Sequence, residues 1–181
     1  MNYGIYQSVR NAAWQCLIDC GITELPLKPV IIAQKYGVNC KRATAEYLKG
    51  KSGEILRDNN RNVIILTNVN DIVKRRRYTI MHELGHFVLG HLGNEPLSRS
   101  ESDCRPEEEQ AADKFAINML APACVLWGLD LHTPEEIAKV CDISMQAATY
   151  RAERMKILYK RNKFFTEPIA VSYTHLTLPT K

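Results

Sequence analysis

The stretch TIMHELGHFVLGH, residues 79–91, holds two histidines four apart, His82 and His86, with Glu83 directly after the first and a third histidine, His91, five residues further on. On an α-helix four residues span about 400°, so His82 and His86 fall within roughly 40° of each other and one turn apart. They can share one ion. Glu83 is displaced by about 100° around the axis, too far to join them comfortably as a ligand but near enough to hydrogen-bond a water there. This H-E-x-x-H geometry suits a metallopeptidase: two imidazoles hold zinc, zinc lowers the pKa of a water, and the carboxylate takes its proton as the water attacks a carbonyl.

The third ligand is less direct. His91 lies about 900° past His82, half a turn out of phase, so on a continuing helix it points away from the ion. The metzincin pattern H-E-x-x-H-x-x-G-x-x-H also fails, because its glycine falls on Leu89 and its last histidine on Leu92. His91 therefore reads as a structural residue or a partner to a ligand. A better candidate is acidic and lies downstream, in EEEQAADKFAINMLAP. Glu109 and Asp113 share one helical face there, while Ala112, Phe115, Ala116 and Met119 form an apolar stripe for packing against the first helix. Glu109 could complete the site with water in the fourth position, and Asp113 could accept the Nδ1 proton of a liganding histidine. Glu107 and Glu108 remain rivals, because the acidic cluster blurs the register.

The elements that must position these groups follow from pattern. Helical spacing over 3–20 stops at Gly21, and a short second helix opens at Pro29 and closes at Gly37. Three strand-like stretches follow, at 38–44, 53–57 and 62–67, with DNNRN between the last two marking a hairpin. A long helix is expected over 71–88, ended by Gly90 and Gly93, then a polar surface loop over 94–105. Another helix covers 106–120, stopped by APAC with Pro122. Two more complete the chain, the first opened by Thr133 and Pro134, the second by Ser144.

The chain has 181 residues and a net charge of +4, enough length for one domain and too mild a charge to argue for nucleic acid. Lys74, Arg75, Arg76 and Arg77 could flank the site, and the basic stretch 151–163 reads as a solvated helix face. Six cysteines without a C-x-x-C pair suggest reduced, mostly buried thiols, Cys16 and Cys20 included, rather than a zinc ribbon or disulfide ladder. With no secretion signal or membrane span in the sequence, a cytoplasmic protein is expected. Residues 171–180, VSYTHLTLPT, resemble the translation of a sequencing adapter. The expected organisation is a single metallopeptidase domain over 1–170, containing a C-terminal helical pair at about 133–163, followed by a non-native tail at 171–181 that removes His175 from any site.

Taken together, RRYTIMHELGHFVLGH, the E-x-x-A-x-x-F-A pattern at Glu109, Ala112, Phe115 and Ala116, MLAP, and ISMQAATYR with Ser144, Ala147 and Arg151 resemble the ImmA/IrrE metallopeptidases of bacteria, mobile elements and phages. The likeness covers about 37–160. It implies a small zincin-like α+β fold with a short, about three-stranded sheet beside the active-site helix, Zn2+ on His82, His86 and Glu109, and Glu83 as base. It also implies a substrate, a helix-turn-helix repressor encoded nearby, whose cleavage relieves repression of mobile-element or stress genes. This chain departs from the family pattern at Asp113, where Asn is frequent, at Met81, where a small residue is common, and at Ala121, where Met usually precedes the proline.

An exposed strand edge, GEILR or VIILT, is expected to hold the substrate by backbone hydrogen bonds. Tyr78, Tyr150 and Arg151 are candidates to stabilise an oxyanion. Two alternatives compete. One is a DNA-binding module built on residues 133–155, with Arg151, Arg154 and Lys156 on its second helix; the absence of glycine in the turn and the acids Glu135 and Glu136 argue against it. The other is a zinc-bound regulator that only sequesters a repressor, against which stands Glu83, a residue that metal binding alone does not need.

Overall fold

The structure is a computed structural model that describes residues 3–92 and 106–161. Gly93, the polar loop read over 94–105 with Cys104, and the tail with His175 lie outside the described residues. The elements are α1 (Tyr3–Asp19), α2 (Pro29–Lys35), β1 (Val38–Ala43), β2 (Gly53–Arg57), β3 (Val63–Asn68), α3 (Val73–Val88), α4 (Pro106–Leu120), α5 (Ala123–Gly128), α6 (Pro134–Cys141) and α7 (Met145–Arg161). This is a mixed α+β fold with one three-stranded sheet, consistent with a small zincin-like architecture. The chain gathers into two compact units, Met1–Ala12 with Lys28–Ala116, and Ala13–Leu27 with Ile117–Lys181.

In the first unit the sheet order is β1-β3-β2, with β1 parallel and β2 antiparallel to β3. The chain must therefore pass over β3 to reach the far edge. Leu48, in that crossing segment, is buried against Ile64 and Leu66, with Ala43 and Leu56 packed beside them. The sheet returns through a tight turn: Asp58 accepts hydrogen bonds from the backbone N–H of Asn60 (2.9 Å) and Asn62 (2.8 Å), and Arg61 takes a positive φ of 64°. DNNRN thus forms the expected hairpin. All six residues of β3 are buried, as befits a central strand covered on both faces. VIILT is accordingly not an edge, which corrects one of the two alternatives above; GEILR is.

Helices α2 and α3 cover the other face, α2 against β1 and α3 against β2 and β3. Because only residues 69–72 join β3 to α3, the helix runs back antiparallel to β3 and parallel to β2. The two are held close at a glycine. A Cβ built on Gly53 would stand 2.3 Å from Thr79 Cγ2 and 2.7 Å from the Leu66 carbonyl oxygen, so no side chain fits there. Arg75 Nε donates to Ser52 Oγ at 2.8 Å just beside it.

In the second unit, α7 packs against α5 and α6. Helix α6 opens on a capping box in which Thr133 and Glu136 satisfy each other's backbone N–H groups, with Pro134 in the first turn. Ser144 Oγ accepts from the Ala147 N–H at 3.2 Å to start α7. Arg151 is buried, at 3% exposure, and its guanidinium donates to the Ala121 carbonyl at the end of α4 and to Asn118 Oδ1. The short α5 was not legible in the pattern, since Pro122 marks a stop and the helix then buries Ala123, Cys124, Val125 and Leu126 together, leaving no polar face to set a period. Cys16, Cys20, Cys124 and Cys141 are buried. No helix among the described residues is long and apolar enough to cross a membrane.

Replacing Gly53 by Ala is expected to push α3 from the sheet and destabilise the protein by ~1–3 kcal/mol, the range for overpacking a close contact. Urea unfolding checks it; an unchanged midpoint would mean that this approach is not tight.

Candidate metal centre

Helix α3 carries His82, Glu83 and His86, and the four-residue spacing brings the two imidazoles together as a helix requires. Their Nε2 atoms are 3.1 Å apart. Glu109, in the first turn of α4, reaches both: its Oε2 is 3.1 Å from His82 Nε2 and its Oε1 3.3 Å from His86 Nε2. Among the described residues, these three form the one group of histidine, cysteine and acidic side chains placed to hold a metal ion. Glu107 and Glu108 do not belong to it. Four-coordinate zinc with bonds of about 2.0–2.1 Å places donor atoms about 3.3 Å apart; the two imidazole nitrogens meet that spacing, and one ligand atom from each of the three residues lies within 4.8 Å of the others.

The approach of α4 depends on Gly85. A Cβ there would lie 3.1 Å from Phe115 Cδ1, 3.2 Å from Phe115 Cβ and 3.3 Å from the Ala112 Cα, so the missing side chain lets α4 settle against α3. The apolar stripe expected on α4 makes this contact: Ala112 and Phe115 are fully buried. Gly85 itself escaped sequence reasoning. Its signal was a glycine inside a helix, which is destabilising unless something needs the space.

Both imidazoles are oriented from behind. His82 Nδ1 lies 2.9 Å from Asp113 Oδ1, and the Tyr78 hydroxyl donates to the same oxygen at 2.8 Å. Burial opposes ionisation of Asp113, but its hydrogen bonds with His82 and Tyr78 outweigh that and hold its pKa below the usual carboxylate value. Burial, then the charge on Asp113, pushes the Tyr78 phenol up, so it remains a neutral donor. That use of the hydroxyl takes Tyr78 away from an oxyanion role. Tyr150 is exposed and Arg151 is committed to Ala121 and Asn118.

His91 comes to the site by a different route from the one its phase forbids. Helix α3 stops at Val88, and Gly90 adopts a positive φ of 75°. The His91 N–H bonds to the His86 carbonyl at 2.8 Å and the Gly90 N–H to Phe87 at 3.2 Å, a Schellman closure. The chain folds back, and His91 Nδ1 lies 3.1 Å from His86 Nδ1.

The consequence is electronic. With Nδ1–H of His82 directed to Asp113, its neutral Nε2 presents a lone pair; with Nδ1–H of His86 directed to His91, so does that Nε2. Two lone pairs and a carboxylate then face one point, an arrangement only a cation relieves. For His82, burial disfavours charge, yet the hydrogen bond with Asp113 and the charges of Glu83, Asp113 and Glu109 prevail and raise its pKa. Without metal a proton serves as the cation; with metal the ion replaces it.

Residues 32–153 match the peptidase family model described as the IrrE N-terminal-like domain. No curated protein matches the chain.

Asp113→Asn is expected to weaken metal binding about tenfold to hundredfold, the usual effect of removing the group behind a liganding histidine, as read by competition with a chromophoric chelator. Because the folded His82 pKa is raised, its pairing with Asp113 stabilises the metal-free protein fully below the unfolded imidazole value of ~6.5 and is lost as pH rises through the folded value. The stability gap between wild type and Asp113→Asn, measured by urea unfolding in chelator, should therefore narrow with rising pH.

Proposed function

The chain belongs to the family of IrrE N-terminal-like peptidase domains and is a metallopeptidase; from that premise we propose that it is a zinc-dependent endopeptidase acting on a helix-turn-helix transcriptional repressor. The observation that carries the catalytic part is the convergence of His82, His86 and Glu109 beside Glu83. Two imidazoles and one carboxylate are a donor set suited to zinc, which prefers nitrogen and accepts oxygen, and three protein donors leave a coordination position for chemistry. The repressor assignment rests on the motif likeness to proteins that cleave such partners.

Bound zinc would supply Lewis acidity, acidifying a water and polarising the carbonyl under attack. The chain's own residues do the rest. Glu83 follows His82 directly, turned about 100° from it, where its carboxylate accepts the proton of the attacking water and returns it to the leaving nitrogen. Asp113, steadied by Tyr78, holds the His82 ring and its tautomer, and His91 does the same for His86.

A peptide needs a track beside these groups, and β2 offers one. The Asn68 N–H bonds to the Ser52 carbonyl and the Asp58 N–H to the Asn62 carbonyl, both at 2.9 Å, bracketing the β2–β3 ladder. In an antiparallel pair such bonds recur at alternate residues, so Ser52, Glu54, Leu56 and Asp58 turn their backbone groups toward β3. Gly53, Ile55 and Arg57 turn theirs to the outer edge, which no described strand covers. An extended substrate would bond there.

Against the DNA-binding alternative stands the burial of Arg151, one of its three candidate contacts with Arg154 and Lys156. Sequestration without cleavage is separated by mutation. Glu83→Gln is expected to retain one zinc per chain, measured by elemental analysis, while lowering cleavage of a co-expressed neighbouring repressor by about 10²-fold or more. A mutant that still cuts would remove Glu83 from the base role, and an intact repressor bound to wild type would favour sequestration.

A further inference from the structure

We propose that Arg57 is a specificity residue that selects an acidic side chain, aspartate or glutamate, in the bound peptide; the inference rests on the reading of β2 as the substrate edge. The placement follows from the strand. A Cβ on Gly53 would point at Thr79 of α3, and side chains alternate along a strand, so Ile55 and Arg57 share that helix-facing side while Glu54 and Leu56 point the other way. Ile55 is accordingly buried.

The parallel course of β2 and α3 sets the level of each residue. From Gly53, Ile55 lies ~7 Å and Arg57 ~13 Å along the strand; from Thr79, Glu83 lies ~6 Å and His86 ~10 Å along the helix. Ile55 is therefore level with the general base and Arg57 with the turn that carries His86. A peptide bonded to the outward groups of Gly53, Ile55 and Arg57 passes both, and its residue opposite Arg57 presents a side chain on the same face.

The chemistry of the side chain points the same way. Arg57 Nε is buried and makes no hydrogen bond, and the residue as a whole is half-buried. A guanidinium keeps its charge and its donors, and because the residue is only half-buried an arriving acceptor can meet the outer part of the group while the Nε is held in place by its surroundings. The nearby helices present acids, Glu83 on α3 and Glu109 and Asp113 on α4, which repel a substrate carboxylate elsewhere in the cleft. Arg57 is the cation in GEILR, and a carboxylate pairs with it through parallel N–H···O bonds.

The test uses the full chain as its zinc-loaded Glu83→Gln form and fluorescein-labelled extended decapeptides of Val, Thr and Ser in which one position at a time is Glu, Gln or Lys, with binding read by anisotropy. At one position Glu is expected to bind at least tenfold tighter than Gln. Arg57→Gln should erase that preference, Arg57→Lys should keep part of it, and Arg57→Glu should transfer it to Lys. Arg42→Gln, an equal loss of charge on the exposed opposite edge strand, should leave it unchanged. Absence of binding, equal binding of Glu and Gln peptides, or a preference that survives Arg57→Gln would overturn the assignment. Because binding rather than hydrolysis is read, failure of Glu83 as the base would leave this readout standing.

Discussion

The Nε2 atoms of His82 and His86 stand 3.1 Å apart, and the two carboxylate oxygens of Glu109 lie one against each ring, Oε2 at 3.1 Å from His82 and Oε1 at 3.3 Å from His86, a crowding of electron-rich atoms that a cation relieves. Much of the first unit can be understood as the scaffold that makes this encounter possible. Asp113 lies behind the His82 imidazole and His91 behind that of His86, each within hydrogen-bond distance of the ring's Nδ1.

The scaffold works by close backbone approach. Gly85 lets α4 lie against α3 with only Phe115 and Ala112 between, and Gly53 lets α3 lie against β2. One glycine sets the reach of Glu109, and the other sets the distance from the histidine helix to the edge strand β2. Bulkier residues at either place would leave the ligand spacing within α3 intact while separating it from its partners. The histidine pair is thus carried on a single helix gripped on two sides, by α4 at Gly85 and by β2 at Gly53.

Arg151 illustrates a charge used for architecture rather than chemistry. Its basic surroundings in the sequence suggested a solvated or nucleic-acid-facing helix, yet it is buried and occupied with the Ala121 carbonyl and Asn118. Buried arginine is tolerated when its donors are matched, and the open carbonyls at a helix end are natural acceptors.

What the sequence alone determined is what short-range geometry enforces: the shared face of His82 and His86, the Asp58 turn and its hairpin, the Thr133 and Ser144 caps, and the approximate span of each long element. These follow from backbone periodicity and local hydrogen bonds, which operate within a few residues. Tertiary structure decided that Glu109, rather than Glu107 or Glu108, lies against both imidazoles, that β2 rather than β3 stands at the edge, and what Gly85 and Arg151 meet. Even His91 depended on where α3 stopped, because one glycine in the left-handed region converts a residue half a turn out of phase into a neighbour. Periodicity says which way a side chain leaves its own element; only packing between segments distant in the chain says what it meets.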